Sequence, residues 1–179
     1  MKKHHVYIAK SLDGYIADSQ GGVGFLDTFP MKENDDMGYS AFMEKVDAIL
    51  MGRKSFETVL SFGVDWPYSK PVFIWSQKIE KIPSKLAGKA ELVHGKIEEV
   101  ESFIHAKGFQ RLYLDGGQVI QSFLQADKVE TMTITTIPVL IGDGIRLFGP
   151  LTNPLSFRCT DTKRFENGLV QQVFERIAN

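Results

Sequence analysis

Two strand–glycine–helix junctions carry the residues best suited to grip an anion: Ile49-Leu50-Met51-Gly52-Arg53-Lys54-Ser55 and Leu112-Tyr113-Leu114-Asp115-Gly116-Gly117-Gln118-Val119-Ile120. The first N–H groups of a helix have no internal partners, and the helix dipole is positive there. Glycine lets a phosphate oxygen approach the bare backbone. Arg53, Lys54 and the Ser55 hydroxyl add charge and a hydrogen bond. As plain first-turn cations, Arg53 and Lys54 oppose the dipole, a conflict that a bound anion removes. Taken singly, either junction also serves as a tight turn. Neither has the glycine spacing of the dinucleotide fingerprint or of the ATPase phosphate loop. Together, at the strand ends where ligands settle in open α/β sheets, they can hold the two halves of a pyrophosphate-linked molecule.

A third polar cluster, Ser76-Gln77-Lys78, follows the apolar run Val72–Trp75. It reads either as a site for an extra phosphate or as an ordinary polar strand exit. Asp35 and Asp36 stand just before a helical pattern, with Glu33 nearby, where carboxylates also cap helices. His4, His5, His94 and His105 show no metal-ligand spacing, so structural or solvent roles are expected of them and no metal site is expected. Trp66-Pro67-Tyr68 reads as a packed loop.

The elements that must position these residues follow from periodicity. Val6–Ala9, Ala48–Met51, Val72–Trp75, Leu92–Val93 and Leu112–Leu114 are short apolar runs, as buried parallel strands require. Between them, Tyr39/Phe42/Met43/Val46, Phe56/Val59/Leu60, Ile97/Val100/Phe103/Ile104 and Val119/Ile120/Phe123/Leu124 recur at helical spacing. Thr131–Thr135 alternates with period two, and Asn167-Gly168 signals a tight type I′ hairpin turn. The segment from Ser11 to Pro30 lacks periodicity and is expected to be a long functional loop. The expectation is one α/β domain over residues 1–179, with a mostly parallel sheet, right-handed helical crossovers and an antiparallel C-terminal hairpin.

Composition narrows the partners. A net charge of −1 gives no bulk attraction to nucleic acid or to an anionic membrane. Cys159 is the only cysteine, so no intramolecular disulfide and no cysteine-rich zinc site can form. No apolar run approaches the roughly 20 residues of a bilayer span, and the N-terminus lacks the apolar core of a signal peptide. A cytoplasmic location is expected.

In order along the chain, four motifs resemble the dihydrofolate reductase superfamily. They are Ala9-Lys10-Ser11-Leu12-Asp13-Gly14-Tyr15-Ile16-Ala17, Met51-Gly52-Arg53-Lys54-Ser55-Phe56-Glu57, Asp115-Gly116-Gly117, and Ile137-Pro138-Val139-Leu140-Ile141-Gly142-Asp143-Gly144-Ile145-Arg146-Leu147-Phe148. Within it, the chain most resembles the reductase domain of the bifunctional riboflavin-biosynthesis deaminase–reductase and its stand-alone relatives. The last motif favours that branch. The resemblance implies a three-layer α/β/α fold and NADPH as cofactor. Ala9 and Ile16 would line the nicotinamide. Gly52, Arg53, Lys54 and Ser55 would meet the adenosine side and pyrophosphate, and Ser76, Gln77 and Lys78 the 2′-phosphate. Gly116, Gly117, Gln118, Val119 and Ile120 would take the pyrophosphate and nicotinamide end.

The same resemblance places the substrate-binding acid at Asp36, with Thr135 as its partner for substrate or a bound water. Capping and a surface role are the competing readings of the two. Stand-alone relatives commonly carry Asp-Trp in the first loop, where this chain has Gly24-Phe25. Phe25 either replaces that stacking wall or packs in the core. The implied activity is NADPH-dependent reduction of a small heterocycle, a ribosylaminopyrimidine or a dihydropterin. A non-catalytic NADPH-binding or sensor protein is the alternative. A homodimer through the C-terminal strands is implied by resemblance alone.

Overall fold

The computed structural model of the chain describes residues 4–29, 32 and 35–177. Its elements are β1 (His5–Ser11), β2 (Tyr15–Ala17), α1 (Tyr39–Met43), β3 (Ala48–Gly52), α2 (Arg53–Ser61), β4 (Val72–Trp75), β5 (Ala90–Val93), α3 (Ile97–Ala106), β6 (Leu112–Asp115), α4 (Gly117–Gln125), β7 (Thr131–Ile137), β8 (Ile145–Arg146), β9 (Phe157–Arg164) and β10 (Val170–Arg176). Eight strands form one sheet in the order β5-β4-β3-β6-β1-β7-β10-β9. The first six are parallel, and β10 and β9 close the sheet antiparallel.

The apolar runs are continuous because both sheet faces are covered. Ala48 and Leu50 of β3 point into a core shared with Val100 and Ile104 of α3 and with Val119, Ile120 and Phe123 of α4. Ile49 and Met51 point the other way, into a core shared with Phe42 of α1 and Phe56 of α2. Three layers result, with β3 in the middle one and no solvent-facing side. Among the described residues, no helix is long and apolar enough to cross a membrane.

The structure corrects three local expectations. Within Ser11–Pro30, β2 and a short 3₁₀ turn (Gly24–Thr28) add structure to the expected loop, while Pro30 lies outside the described residues. The C-terminal hairpin forms, but its turn is not type I′, which needs positive φ at two residues. Only Gly168 is left-handed (φ 90°); its N–H reaches Phe165 O at 3.0 Å, and Phe165 N–H reaches Leu169 O at 2.9 Å. That is a three-residue loop ending on a left-handed glycine. Phe103 leaves the apolar face of α3 and lies 44% exposed, with Lys107 Nζ 4.8 Å from its ring centroid.

Candidate functional site

A cleft of about 790 Å³ opens at the C-terminal ends of β1, β3 and β6. It is lined by nine of the residues expected to hold a cofactor: Ala9, Ile16, Gly52, Arg53, Lys54, Ser55, Gly116, Gly117 and Gln118. Val119 and Ile120 are placed differently. Both side chains are buried in the core, so they anchor α4 from beneath and only their backbone is available at the helix start. Ser76, Gln77 and Lys78 lie at the end of β4, outside the cleft wall. The buried Ser76 hydroxyl accepts the N–H groups of Lys78 and Ile79, Gln77 Nε2 donates to Gly95 O, and Lys78 is exposed.

Helices α2 and α4 both begin on a glycine, and neither has a side-chain cap or an acidic residue in its first turn. The two starts touch. A Cβ on Gly116, whose φ is 93°, would fall 2.3 Å from Ser55 Oγ. Only glycine packs there, and its packing sets two bundles of free N–H groups side by side. Arg53 Nη1 donates to both Glu57 carboxylate oxygens, at 2.8 and 2.7 Å. The cleft continues along α2 past Thr58 and Phe62, opposite Gln20, Val23 and Leu26.

The roof explains why the first and last sequence motifs occur together. Strand β2 pairs with β8. The Asp13 carboxylate accepts from Ser11 Oγ (2.5 Å), Ile141 N (3.1 Å) and Gly142 N (2.8 Å). These bonds hold its carboxyl below the ordinary carboxylate value, that of Ser11 most strongly. Arg146 donates to Tyr15 Oη at 2.9 Å and lies over the Tyr15 ring. Gly144 packs so tightly on β2 that a Cβ would stand 2.1 Å from Ala17 O. Ile16, Ala17 and Ile145 are thereby fixed as one wall of the cleft.

The acids divide by environment. Asp36 is exposed at the start of α1, and its carboxylate accepts from Gly38 N and Ser40 N, both at 2.8 Å. The bonds from Ser40 and Gly38 keep it below the usual value, ionised at neutral pH. Asp35 accepts from Met37 N, and Glu33 lies outside the described residues. Thr135 is not a surface residue; it is 3% exposed. It connects to the Asp36 region through two residues that its strand spacing alone did not reveal. Gln171 Nε2 donates to Thr135 Oγ1 (3.1 Å) and to Tyr7 Oη (3.2 Å), and Tyr7 donates to Met37 O (3.0 Å). Both Asp36 and Asp35 act electrostatically on Tyr7.

Two acids line the cleft: Glu57, which is engaged by Arg53, and Asp115. Asp115 is half-buried at the end of β6, and loss of water there pushes its pKa up to about 6, against a weaker lowering by the Gly116 N–H. It stood in the glycine motif, yet spacing gave no sign of its perturbation. Phe25 is half-buried and does not line the cleft; it packs with Ala9 and Met37 against Ile137, Phe165 and Leu169. Trp66 packs edge-on against Phe56 and Tyr68, as a packed loop requires.

The histidines show no metal-ligand spacing in the sequence, yet the fold brings two of them together: His4, Glu101 and His105 form a cluster whose ligand atoms lie within 4.8 Å of one another. His5 Nδ1 lies 2.7 Å from Thr131 Oγ1, and His94 contacts Ser76 O.

The three-layer architecture, with a mostly parallel sheet and an antiparallel C-terminal hairpin, is a RibD reductase-like fold. The chain belongs to the RibD C-terminal domain family, whose sequence model matches residues 4–171. It is 31% identical over 165 residues to the uncharacterized protein YwjB of Bacillus subtilis (strain 168), covering 92% of each chain. Among solved structures it superposes on a Shewanella sp. PV-4 protein provisionally assigned to riboflavin biosynthesis, with TM-score 0.93 and 43% identity over 98% of this chain and 99% of that one. A Thermotoga maritima diaminohydroxyphosphoribosylaminopyrimidine deaminase/5-amino-6-(5-phosphoribosylamino)uracil reductase shares the fold at TM-score 0.69 and 15% identity, over 98% of this chain and 56% of that one.

Proposed function

We propose that this chain is an NADPH-dependent reductase of a small heterocycle, of ribosylaminopyrimidine or dihydropterin type. One observation carries the reading: the uncapped starts of α2 and α4 meet at Ser55 and Gly116 inside a cleft that also holds Arg53 and Lys54. That donor set fits a pyrophosphate. Arg53, Lys54, Ser55 and the N–H groups from Gly117 onward would hold it, with Ala9 and Ile16 against the nicotinamide. When bound, the cofactor supplies hydride; the chain supplies position and a proton.

Asp115 holds that proton. A carboxyl with a pKa of about 6 is partly protonated at neutral pH and regains a proton readily. Asp36, ionised at the same pH, can accept a hydrogen bond from substrate but cannot donate a proton. Thr135, fixed by Gln171, offers a hydroxyl from β7 on the same side of the sheet. Extra phosphate on the cofactor would fall to Ser76, Gln77 and Lys78. Lys78 is the exposed cation among them and has to swing toward the cleft to serve.

The chain is further read as a cytoplasmic protein that pairs with a second copy along β9, the exposed edge of the sheet. The alternative, an NADPH-binding sensor without turnover, is favoured by one feature: the Asp36 carboxylate already accepts the backbone N–H groups of Gly38 and Ser40. NADPH oxidation measured against ribosylaminopyrimidines, dihydropterins and simple carbonyls decides between the two. Turnover of none, alongside tight NADPH binding, leaves only the sensor. Equal affinity for NADPH and NADH, unchanged by Lys78→Ala, removes the 2′-phosphate assignment.

A further inference from the structure

The cluster of His4, Glu101 and His105 is used by none of the chemistry above. It lies at the N-terminal end of β1, whereas the cleft opens at the C-terminal end, roughly 20 Å away at ~3.3 Å per strand residue. Glu101 and His105 are four residues apart on α3, the spacing that sets two side chains above one another on a helix face. His4 joins them across the sheet. Its Nε2 lies 2.8 Å from Glu101 Oε1. The His4 and His105 rings are nearly parallel, with an interplanar angle of 11° and centroids 5.6 Å apart.

We propose that His4, Glu101 and His105 form a binding site for one divalent transition-metal ion of the zinc class. Two imidazoles and one carboxylate are the donor types that such an ion selects. The ligand atoms, within 4.8 Å of one another, need only small side-chain rotations to converge on a common centre. The surroundings supply the rest of a metal site. Lys128 Nζ holds the second carboxylate oxygen, Oε2, at 2.5 Å, which orients Oε1 toward His4. Phe123 stands edge-on to His4 at 5.1 Å and walls one side with apolar surface. His4 and Glu101 are buried, and His105 is half-buried with its ring nitrogens turned inward, so rotation of the His105 side chain opens the way for an ion. Coordination replaces the His4–Glu101 hydrogen bond and ties the start of β1 to α3. The role is a structural one, independent of the cleft.

The test uses the tag-free, chelator-treated full chain, titrated with Co²⁺ and then Zn²⁺. The expected result is one ion per chain, the visible absorption of low-coordinate Co²⁺, and its displacement by Zn²⁺. Binding weakens at least tenfold in His105→Ala and in Glu101→Gln, and Zn²⁺ raises the Tm of the wild-type chain but not of these variants. Circular dichroism checks the fold; if His105→Ala does not fold, His105→Gln takes its place. Absence of stoichiometric uptake by the wild-type chain overturns the proposal outright. So does uptake that both variants retain in full, because the ion is then held elsewhere.

Discussion

Gln171 Nε2 stands 3.1 Å from Thr135 Oγ1, and both residues are buried between neighbouring strands β10 and β7. The same amide reaches Tyr7 on β1, so three adjacent strands share one polar node beneath the cleft. Buried polar groups are costly only when a partner is lost. Thr135→Val removes the acceptor and leaves one amide proton of Gln171 unsatisfied. The expected loss is about 1–3 kcal/mol of stability. Urea unfolding measures it, and an unchanged midpoint means that the node is not closed as described.

Asp115 makes stability fall with rising pH, the reverse of the usual carboxylate. Its pKa is raised in the folded chain to about 6 from an ordinary 3.8, so the folded state binds more protons between those values. Below pH ~4 the group is protonated in both states and costs nothing. Above about 6 it is ionised in both, and the folded chain bears the full cost of a poorly hydrated charge. Asp115→Asn is therefore stabilising above pH 6, with a gain that vanishes toward pH 4. Melting curves across that range check the sign; a gain confined to low pH contradicts the burial assignment.

The same two acids separate binding from proton supply. With a substrate in hand, Asp115→Asn is expected to lower kcat at least tenfold and to abolish the decline in kcat as pH rises through about 6. Asp36→Asn, which removes an ionised acceptor, is expected to raise KM and to preserve that limb. A pH profile that follows Asp36 instead of Asp115 reverses the assignment.

Gly144 tests the roof. Its φ of 152° and its approach to Ala17 O leave no room for a methyl group. Gly144→Ala forces β8 away from β2 or strains the backbone by about 1–3 kcal/mol. Because Ile16 and Ile145 belong to this wall, cofactor affinity should drop more than the global stability change explains. Comparing NADPH Kd with Tm for this variant and for Gly142→Ala, where no atom lies within 4 Å of an added Cβ, separates local crowding from left-handed strain.

The sheet was readable in the sequence because each parallel strand is a short apolar run covered on both faces, and Ile49 and Leu50 announce that pattern without help from distant residues. The cleft was readable through its backbone: glycine at a helix start has few other uses beside Arg53, Lys54 and Ser55. Side-chain partnerships were not. Tyr7 and Gln171 are 164 residues apart, and His4 and Glu101 are 97 apart. No local period encodes either pair. Val119 and Ile120 show the complementary error, in which a correct motif carried two residues whose side chains serve the core. The perturbation of Asp115 belongs to its depth, which a string of letters does not contain.

Strand β1 comes first in the chain yet sits at the middle of the sheet, between β6 and β7. Its neighbours arrive more than a hundred residues later, as the pairings His5–Tyr113 and His5–Thr131 show. During synthesis the segment His5–Ser11 must therefore wait, apolar and unpaired, until β6 has emerged, and its second edge stays open until the chain has passed Thr131. Such distant closure slows folding and leaves the early chain sticky. A chaperone that shields one short stretch of this protein on the ribosome would find its target in β1, the strand that also forms the floor of the cleft.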